Sequence, residues 1–358
     1  MKMTMRWYGE GNDSVTLEQI RQIPNVKGIV GGLHNLPAGE VWPLSEILNL
    51  QKTVEQAGLE LEVIESVNVH EDIKLGSEKK DFYIDNYIAT LENLAVAGIK
   101  VVCYNFMPVF DWTRSSLNRK LEDGSYTMDY DECIISKINP SKIAEYMLGE
   151  AGEFTFPGWE PERLVLLDEL FSRYKGITED MLRNNLKYFL ERIIPVCEKL
   201  DIKMAMHPDD PPWDIFGLPR IARNLEDFKK NVKLVDNLYN GITFCTGCLG
   251  AGRMNDIPRM ISELGAMNRI HFAHIRNIKF YDTQSFYEVS HRTDDGDLDM
   301  FAIVKAFVDT GFDGYVRPDH GRMIWNEKAR PGYGLYDRAL GIAYLNGLFE
   351  GIIKMNSL

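Results

Sequence analysis

Four residues of metal-binding type follow or end short apolar segments in the second half of the chain. They are His207, Cys245, His274 and Asp319. Because none of them lies in a local zinc-finger spacing, each must be delivered by a different structural element. Three or four protein ligands that leave coordination positions open form a catalytic metal site, since a substrate can displace water there. The pattern predicts such a site.

Each of these residues also has a simpler structural explanation. A lone histidine at a strand end is commonly hydrogen-bonded within the fold, and a lone cysteine commonly packs as a small hydrophobic side chain. The metal hypothesis therefore depends on all four positions occurring together. His271 lies three residues before His274 and should face the opposite side of its strand, where we expect packing. Cys248 lies in a glycine-rich loop beyond Cys245, so we favour Cys245 as the ligand.

Two residues near the last candidate ligand could transfer protons. His320 directly follows Asp319, and Tyr333 lies between Gly332 and Gly334 on what the sequence predicts to be a mobile loop. Histidine titrates near neutral pH, and a tyrosine can donate or take a proton. We expect His320 and Tyr333 to be the acid and base, although Tyr333 could instead only cover the site.

Six further polar residues suit the hydroxyls and carboxylate of a polyhydroxy acid. The candidates for substrate binding are His34, Arg114, Arg276, Asn277, Arg292 and Arg317. For any single arginine, an ion pair within the protein explains the residue equally well.

The elements that must position these side chains alternate along the chain. Short β-branched runs are separated by longer helical patterns, which is typical of βα units around a parallel sheet. Eight strands are expected, the number that an α/β TIM barrel requires, at residues 4–8, 28–31, 61–65, 100–104, 203–206, 242–245, 270–274 and 315–318. In such barrels the chemistry lies at the carboxyl ends of the strands. The candidate ligands fall at the ends of four successive strands, so one rim should carry them all.

The interval of residues 106–177 is too long for one βα loop. It is rich in Trp, Tyr, Asp and Glu, and long loops of barrels commonly serve the site. We expect one TIM-barrel domain over residues 1–358 in which residues 106–177 form a partly helical insertion on the catalytic face. The alternative is a small separate subdomain with a structural role.

Composition limits the possible partners. The 358 residues include 40 Lys and Arg against 53 Asp and Glu, a net charge of −13. This charge disfavours nucleic acid as a partner. The sequence has no apolar run long enough for a bilayer and no signal peptide, so no membrane partner and a cytoplasmic location are expected. The 5 cysteines should be free thiols.

Many separate motifs, read in order, resemble the mannonate dehydratase family of uronate catabolism. They run from residue 7 to about residue 345: RWYGEGND, GGLHNLP, VIESVNVHEDIKLG, YNFMPVFDWTR, HPDDPP, CTGCLG, HIRN, RPDHGR and GYGLYDRALGIAY. The resemblance implies a xylose-isomerase-like TIM barrel and a hydro-lyase that converts D-mannonate to 2-keto-3-deoxy-D-gluconate.

The resemblance also implies a Mn²⁺ ion held by His207, Cys245, His274 and Asp319. Ligand softness alone would favour Zn²⁺ or Fe²⁺ at a site with a thiolate and two imidazoles, so these ions stay open. Two rival functions remain: a metal-dependent sugar isomerase on the same barrel, and a sugar-acid binding protein without activity. Isomerases of this fold usually use Glu and Asp ligands, which disfavours the first rival. We expect a homodimer, because barrels of this size often dimerise.

Overall fold

Eight short strands close into a parallel barrel. The computed structural model describes residues 1–143, 146 and 167–356. Its strands are β1 (Lys2–Arg6), β2 (Gly28–Gly31), β3 (Glu60–Glu65), β4 (Val101–Tyr104), β5 (Ser116–Lys120), β6 (Tyr126–Tyr130), β7 (Lys203–Met206), β8 (Asn240–Cys245), β9 (Ile270–Ile275), β10 (Ile278–Asp282), β11 (Ser285–Glu288) and β12 (Tyr315–Pro318). The barrel order is β1-β12-β9-β8-β7-β4-β3-β2. The predicted TIM barrel is therefore confirmed, and each of its eight strands lies within two residues of the expected position.

The barrel strands form because their side chains are apolar on both faces. Every residue of β2, β4, β8 and β9 is buried, as expected for a parallel sheet that is covered by helices. Inward-pointing side chains fill the barrel interior and include Val63, Val101, Ala205 and Phe272. The interior is thus a packed core, which leaves chemistry to the strand ends.

Helices surround the barrel, and several of them begin at side-chain caps that the sequence predicts. Asn224 and Thr178 accept hydrogen bonds from the backbone N–H groups of Asp227 and Met181, as expected for these cap residues. The described helices are Leu17–Arg21, Leu44–Gln56, Glu71–Leu75, Lys80–Val96, Glu132–Ile135, Leu167–Tyr174, Glu179–Leu200, Leu225–Leu234, Thr246–Ala251, Ile257–Ala266, Met300–Asp309 and Tyr336–Asn356. Within the described ranges, none of them combines the length and the apolar character that crossing a membrane would need.

A second sheet lies outside the barrel, and the sequence analysis did not predict it. Its order is β10-β11-β6-β5, and its pairs are antiparallel. Strands β5 and β6 belong to the segment of residues 106–177, which was expected to be partly helical. The segment holds these two strands together with the helices Glu132–Ile135 and Leu167–Tyr174, so it is partly helical where it is described. Residues 144–145 and 147–166 lie outside the described residues.

The sequence contains a local indication of the hairpin that β5 and β6 form. Asp123 and Gly124 lie between the two strands, and Gly124 has a φ of +85°. Gly124 N–H also donates to the carbonyl of Leu121. An Asp-Gly pair between two strand-like runs is a strong indication of a hairpin. The sheet packs through Leu117, Tyr130 and Phe286 into an apolar cluster of its own.

Candidate active site

The four candidate metal ligands lie together at the carboxyl rim of the barrel. His207 directly follows β7, Cys245 ends β8, His274 lies near the end of β9 and Asp319 directly follows β12. These strands are consecutive around the barrel, and Cys245 is in register with His274. Donor atoms of Cys245, His274 and Asp319 lie within 4.8 Å of one another, as do those of His207, Cys245 and Cys248. The two groups share Cys245.

The candidate ligands differ in the partners of their donor atoms. His207 Nδ1 lies 2.8 Å from the carbonyl oxygen of Pro208, so Nδ1–H donates there and Nε2 is the nitrogen that faces Cys245. Burial alone would lower the pKa of His207, but the hydrogen bond to Cys245 raises it to about 9, so a metal ion would displace a proton from Nε2. His274 Nε2 is buried 3.4 Å from Oε2 of Glu65 and forms no hydrogen bond of good geometry among the described residues. The Sγ atom of Cys245 lies 3.2 Å from Oδ2 of Asp319. A thiolate, two imidazoles and a carboxylate fit a divalent transition metal.

The electrostatics of the rim favour the anionic forms of two of these ligands. Burial alone would raise the pKa of Asp319, but His320 and Arg317 hold it well below its ordinary value. Burial would likewise raise the pKa of the Cys245 thiol, but a hydrogen bond from Cys248 and the nearby Arg276 hold it well below the usual range. Anionic ligands bind a metal ion without first losing a proton.

Cys248 lies closer to the site than its expected loop position suggested. The residues that were expected to form a loop form the helix Thr246–Ala251 instead. This helix begins directly after β8 and is fully buried. One turn of helix places Cys248 Sγ 3.0 Å from Cys245 Sγ and 3.3 Å from Nη2 of Arg276. The loop assignment is therefore corrected. His271, by contrast, packs against Gly241 on the other side of its strand.

Two of the predicted substrate-binding arginines lie in a buried cluster of ion pairs. Arg114 binds both carboxylate oxygens of Asp210 at 2.8 Å and reaches Glu288 at 2.9 Å. Arg276 lies 2.6 Å from Glu288, 3.0 Å from Asp210 and 2.7 Å from Asp319. Buried charges of this kind require such partners. These two arginines therefore hold the acids of the site, and neither lines its cavity.

Arg317 lies directly at the cavity. Its guanidinium forms two hydrogen bonds to Glu65, at 2.9 and 3.0 Å, and one ion pair to Asp319 at 2.9 Å. It also lies 3.3 Å from Nδ1 of His274. Arg317 thus connects two strand ends and orients two candidate metal ligands.

The other three residues that were predicted to bind the substrate do not line the cavity. They are His34, Asn277 and Arg292. His34 Nε2 is 3.4 Å from Arg6 Nη2, which places His34 behind a residue that does line the cavity. The side-chain amide of Asn277 donates to the carbonyl of Arg292 at 2.7 Å and ties two loops together. Arg292 itself has an exposed side chain that pairs with Asp294.

The predicted proton-transfer pair is in direct contact. His320 Nε2 lies 3.0 Å from the hydroxyl of Tyr333, and His320 Nδ1 lies 2.9 and 3.0 Å from the two oxygens of Glu288. The backbone around Tyr333 is held in place, because the guanidinium of Arg338 donates hydrogen bonds to the carbonyls of Tyr333 and Gly334. Burial, with Tyr8 nearby, raises the pKa of Tyr333 well above its ordinary value. The phenol is thus protonated at neutral pH.

Several cavity residues were missed in the sequence. The cavity has a volume of about 570 Å³ that includes open solvent, and its lining includes Arg6, Tyr8, Glu65, Asn105, Asp111 and Asp210. Glu65 ends β3 and Asn105 directly follows β4, so the rule that found the metal ligands would also have found these two. Asn105 Oδ1 and Asp111 Oδ2 are buried and have no hydrogen-bond partner in the described part of the chain.

Known proteins resemble the chain over its full length. Residues 1–358 match the family described as D-mannonate dehydratase (UxuA). A mannonate dehydratase of Thermotoga petrophila is 60% identical over 355 residues, which cover 99% of each chain. The crystal structure of mannonate dehydratase from Streptococcus suis serotype2 is 44% identical, has a TM-score of 0.90, and the match covers 99% of this chain and 96% of that chain.

A more distant likeness concerns the fold alone. A xylose isomerase domain protein from Planctomyces limnophilus has a TM-score of 0.56 at 11% identity, and the match covers 98% of each chain. It agrees with the expected xylose-isomerase-like barrel. With the full-length family match and the 60% identical relative, the sequence resemblance is confirmed: the chain belongs to the D-mannonate dehydratase family.

Proposed function

We propose that this chain is a hydro-lyase that converts D-mannonate to 2-keto-3-deoxy-D-gluconate in hexuronate catabolism. The observation that carries the proposal is the position of the hydrogen-bonded pair His320 and Tyr333 directly beside the candidate ligand Asp319. A metal site and a proton-transfer pair at one rim are the two components that this dehydration needs. Family membership supports the same reaction.

His207, Cys245, His274 and Asp319 would hold the metal ion. We propose Mn²⁺, following the family resemblance, with Fe²⁺ or Zn²⁺ as alternatives that the soft thiolate favours. When bound, a divalent metal supplies Lewis-acid stabilisation of the negative charge that develops as the proton at C2 leaves.

The pair His320 and Tyr333 would move the two protons of the reaction. The proton at C2 must be removed, and the hydroxyl at C3 must be protonated to leave as water, which gives an enol. The enol becomes the 2-keto acid when its hydroxyl loses a proton and C3 gains one. One member of the pair takes the proton from C2 and the other gives the proton to the C3 hydroxyl. A proton that passes across their 3.0 Å hydrogen bond then returns both groups to their starting states. Net proton consumption is zero, as the overall reaction requires.

The acidic chain needs local cations and polar groups to bind an anionic sugar acid. Arg6 lines the cavity, and the polar contacts of its guanidinium in the described part of the chain are with the carbonyl of Val30 and the ring of His34, so we assign its charge to the substrate carboxylate. Arg317 adds positive charge on the same wall. Asn105 and Asp111 each have an oxygen without a hydrogen-bond partner among the residues that the structure describes, and these oxygens can accept hydrogen bonds from substrate hydroxyls.

We further propose that residues 106–177 help to close the cavity within a single domain of residues 1–358. Asp111 and Trp112, which lie at the start of this segment, line the cavity.

The 5 cysteines are all free, which supports the cytoplasm as the location. A homodimer remains our proposal for the assembly, and light scattering would test it.

The product assay tests the function against both rivals. Purified enzyme with D-mannonate should form a 2-keto-3-deoxy acid, detected with thiobarbiturate, and should leave aldoses unchanged. Conversion of an aldose to a ketose without any keto-deoxy product would favour the isomerase. Binding of mannonate without turnover, in the presence of Mn²⁺, would favour a binding protein.

A further inference from the structure

Glu288 comes from the outer sheet yet reaches the proton-transfer pair. It ends β11 and is 2% exposed. Both of its carboxylate oxygens lie within 3.0 Å of Nδ1 of His320. We infer that Glu288 is a positioning residue that fixes the ring orientation and the tautomer of His320. The inference rests on the proposed function, because it assigns a role in the same proton transfer.

The charge state of Glu288 decides which nitrogen of His320 carries the proton. Burial alone would raise the pKa of Glu288, but His320 and Arg276 lower it to about 2. A carboxylate can only accept hydrogen bonds, so Nδ1 of His320 must donate to it. In the neutral ring, Nε2 is then an acceptor, and the hydroxyl of Tyr333 donates to it. Glu288 thereby sets the direction of the hydrogen bond within the pair.

Glu288 is itself held firmly in place. Arg276 and Arg114 bind one of its carboxylate oxygens at 2.6 and 2.9 Å. Its backbone is fixed by register with Ile278 and by a hydrogen bond from the hydroxyl of Thr127 to its carbonyl oxygen. A carboxylate with two charge-assisted hydrogen bonds has little freedom to turn away from His320. The outer sheet therefore has a direct connection to the reaction.

If Glu288 had a purely structural role, its substitution would have a different effect on activity. In that case Glu288 only neutralises Arg114 and Arg276, and its loss costs the same activity whether or not His320 is present. A residue that acts through His320 loses its effect once His320 is gone. A double-mutant cycle separates these two cases, because it measures the coupling between the two side chains.

The cycle compares Glu288→Gln, His320→Asn and the double variant for kcat and KM with D-mannonate. We expect Glu288→Gln to lower kcat by about ten- to a hundredfold, the scale for loss of such a supporting contact, with KM changed by less than about threefold. In the His320→Asn background the same substitution should lower kcat by less than about twofold. Equal losses in both backgrounds would overturn the inference. An inactive parent enzyme would instead refute the proposed function.

Asp210 provides a matched control. It shares Arg114 and Arg276 with Glu288 but, in the described part of the chain, makes no hydrogen bond to His320. Asp210→Asn should therefore have nearly the same effect in both backgrounds. If Glu288→Gln does not fold, Glu288→Asp keeps the charge opposite the arginines but withdraws the carboxylate by one methylene, and it enters the cycle instead.

A spectroscopic measurement tests the tautomer directly. Nitrogen chemical shifts of ¹⁵N-histidine, recorded on protein loaded with diamagnetic Zn²⁺, distinguish a protonated Nδ1 from a protonated Nε2. The His320 signal is assigned by its absence in His320→Asn. We expect the Nδ1–H form in the parent and a shift toward a mixture in Glu288→Asp. The Nε2–H form in the parent would overturn the inference.

Discussion

At the scale of residues, Nε2 of His320 and the hydroxyl of Tyr333 are in hydrogen-bond contact, while the neighbouring Asp319 points to the metal ligands. Adjacent positions in the chain thus serve two purposes at one rim. The rule that barrel chemistry lies at strand ends selected Asp319 and His320 from the sequence, whereas Tyr333 was chosen for its place between two glycines in the following loop. It could not select Glu288, because β11 is not a barrel strand and its approach to His320 depends on tertiary packing.

Tyr333→Phe and His320→Asn should each lower turnover of D-mannonate by about a hundredfold or more, the usual scale for loss of a general acid or base. Neither residue is a proposed ligand, so the metal content measured by elemental analysis should stay near that of the parent. Parent-like turnover in either variant would remove that residue from the mechanism. Loss of metal from His320→Asn would make it a ligand or a support of one.

Cys245→Ser should lose metal far more completely than Cys248→Ser. The reason is that Cys245 belongs to both groups of donor atoms, whereas Cys248 belongs to one. Elemental analysis after gel filtration measures the difference, and Cys248→Ser is the matched control because both thiols are buried. Equal losses in the two variants would refute Cys245 as the dominant thiolate ligand.

At the scale of elements, the barrel could be predicted because its strands are continuous apolar runs separated by helical periodicity. The outer sheet was missed because its strands are short, share no common burial pattern and lie within loops of the barrel. β10, for example, has a single buried residue. Its assembly also needs β6 to pair with β11, a contact between segments more than 150 residues apart. Only the Asp-Gly turn gave a local signal.

Arg114 links the segment after β4 to both the barrel and the outer sheet, through Asp210 and Glu288. Arg114→Met should lower the free energy of unfolding by about 3 kcal/mol, because it leaves buried carboxylates with one arginine fewer. Chemical denaturation measures this value. Arg292→Met is the control, since its exposed pair with Asp294 should contribute less than about 1 kcal/mol. Similar small losses in both variants would show that the cluster does not stabilise this link.

At the scale of the whole molecule, a net charge of −13 contrasts with a catalytic rim that concentrates arginines. Arg6 and Arg317 line the cavity, and Arg114 and Arg276 lie behind it. The molecule thus places buried positive charge where an anionic substrate and anionic metal ligands need it. Net charge alone does not reveal this arrangement, because a sum over the sequence does not show where the charges are placed.

The most direct test of the account removes the metal. Enzyme treated with a chelator and verified as metal-free by elemental analysis should lose at least about a hundredfold of its mannonate dehydration, since Lewis-acid stabilisation contributes several kcal/mol to such reactions. Addition of Mn²⁺ should restore the activity, and parallel additions of Fe²⁺ and Zn²⁺ should rank the alternatives. Full activity in the verified metal-free preparation would contradict the claim that His207, Cys245, His274 and Asp319 form a catalytic metal centre.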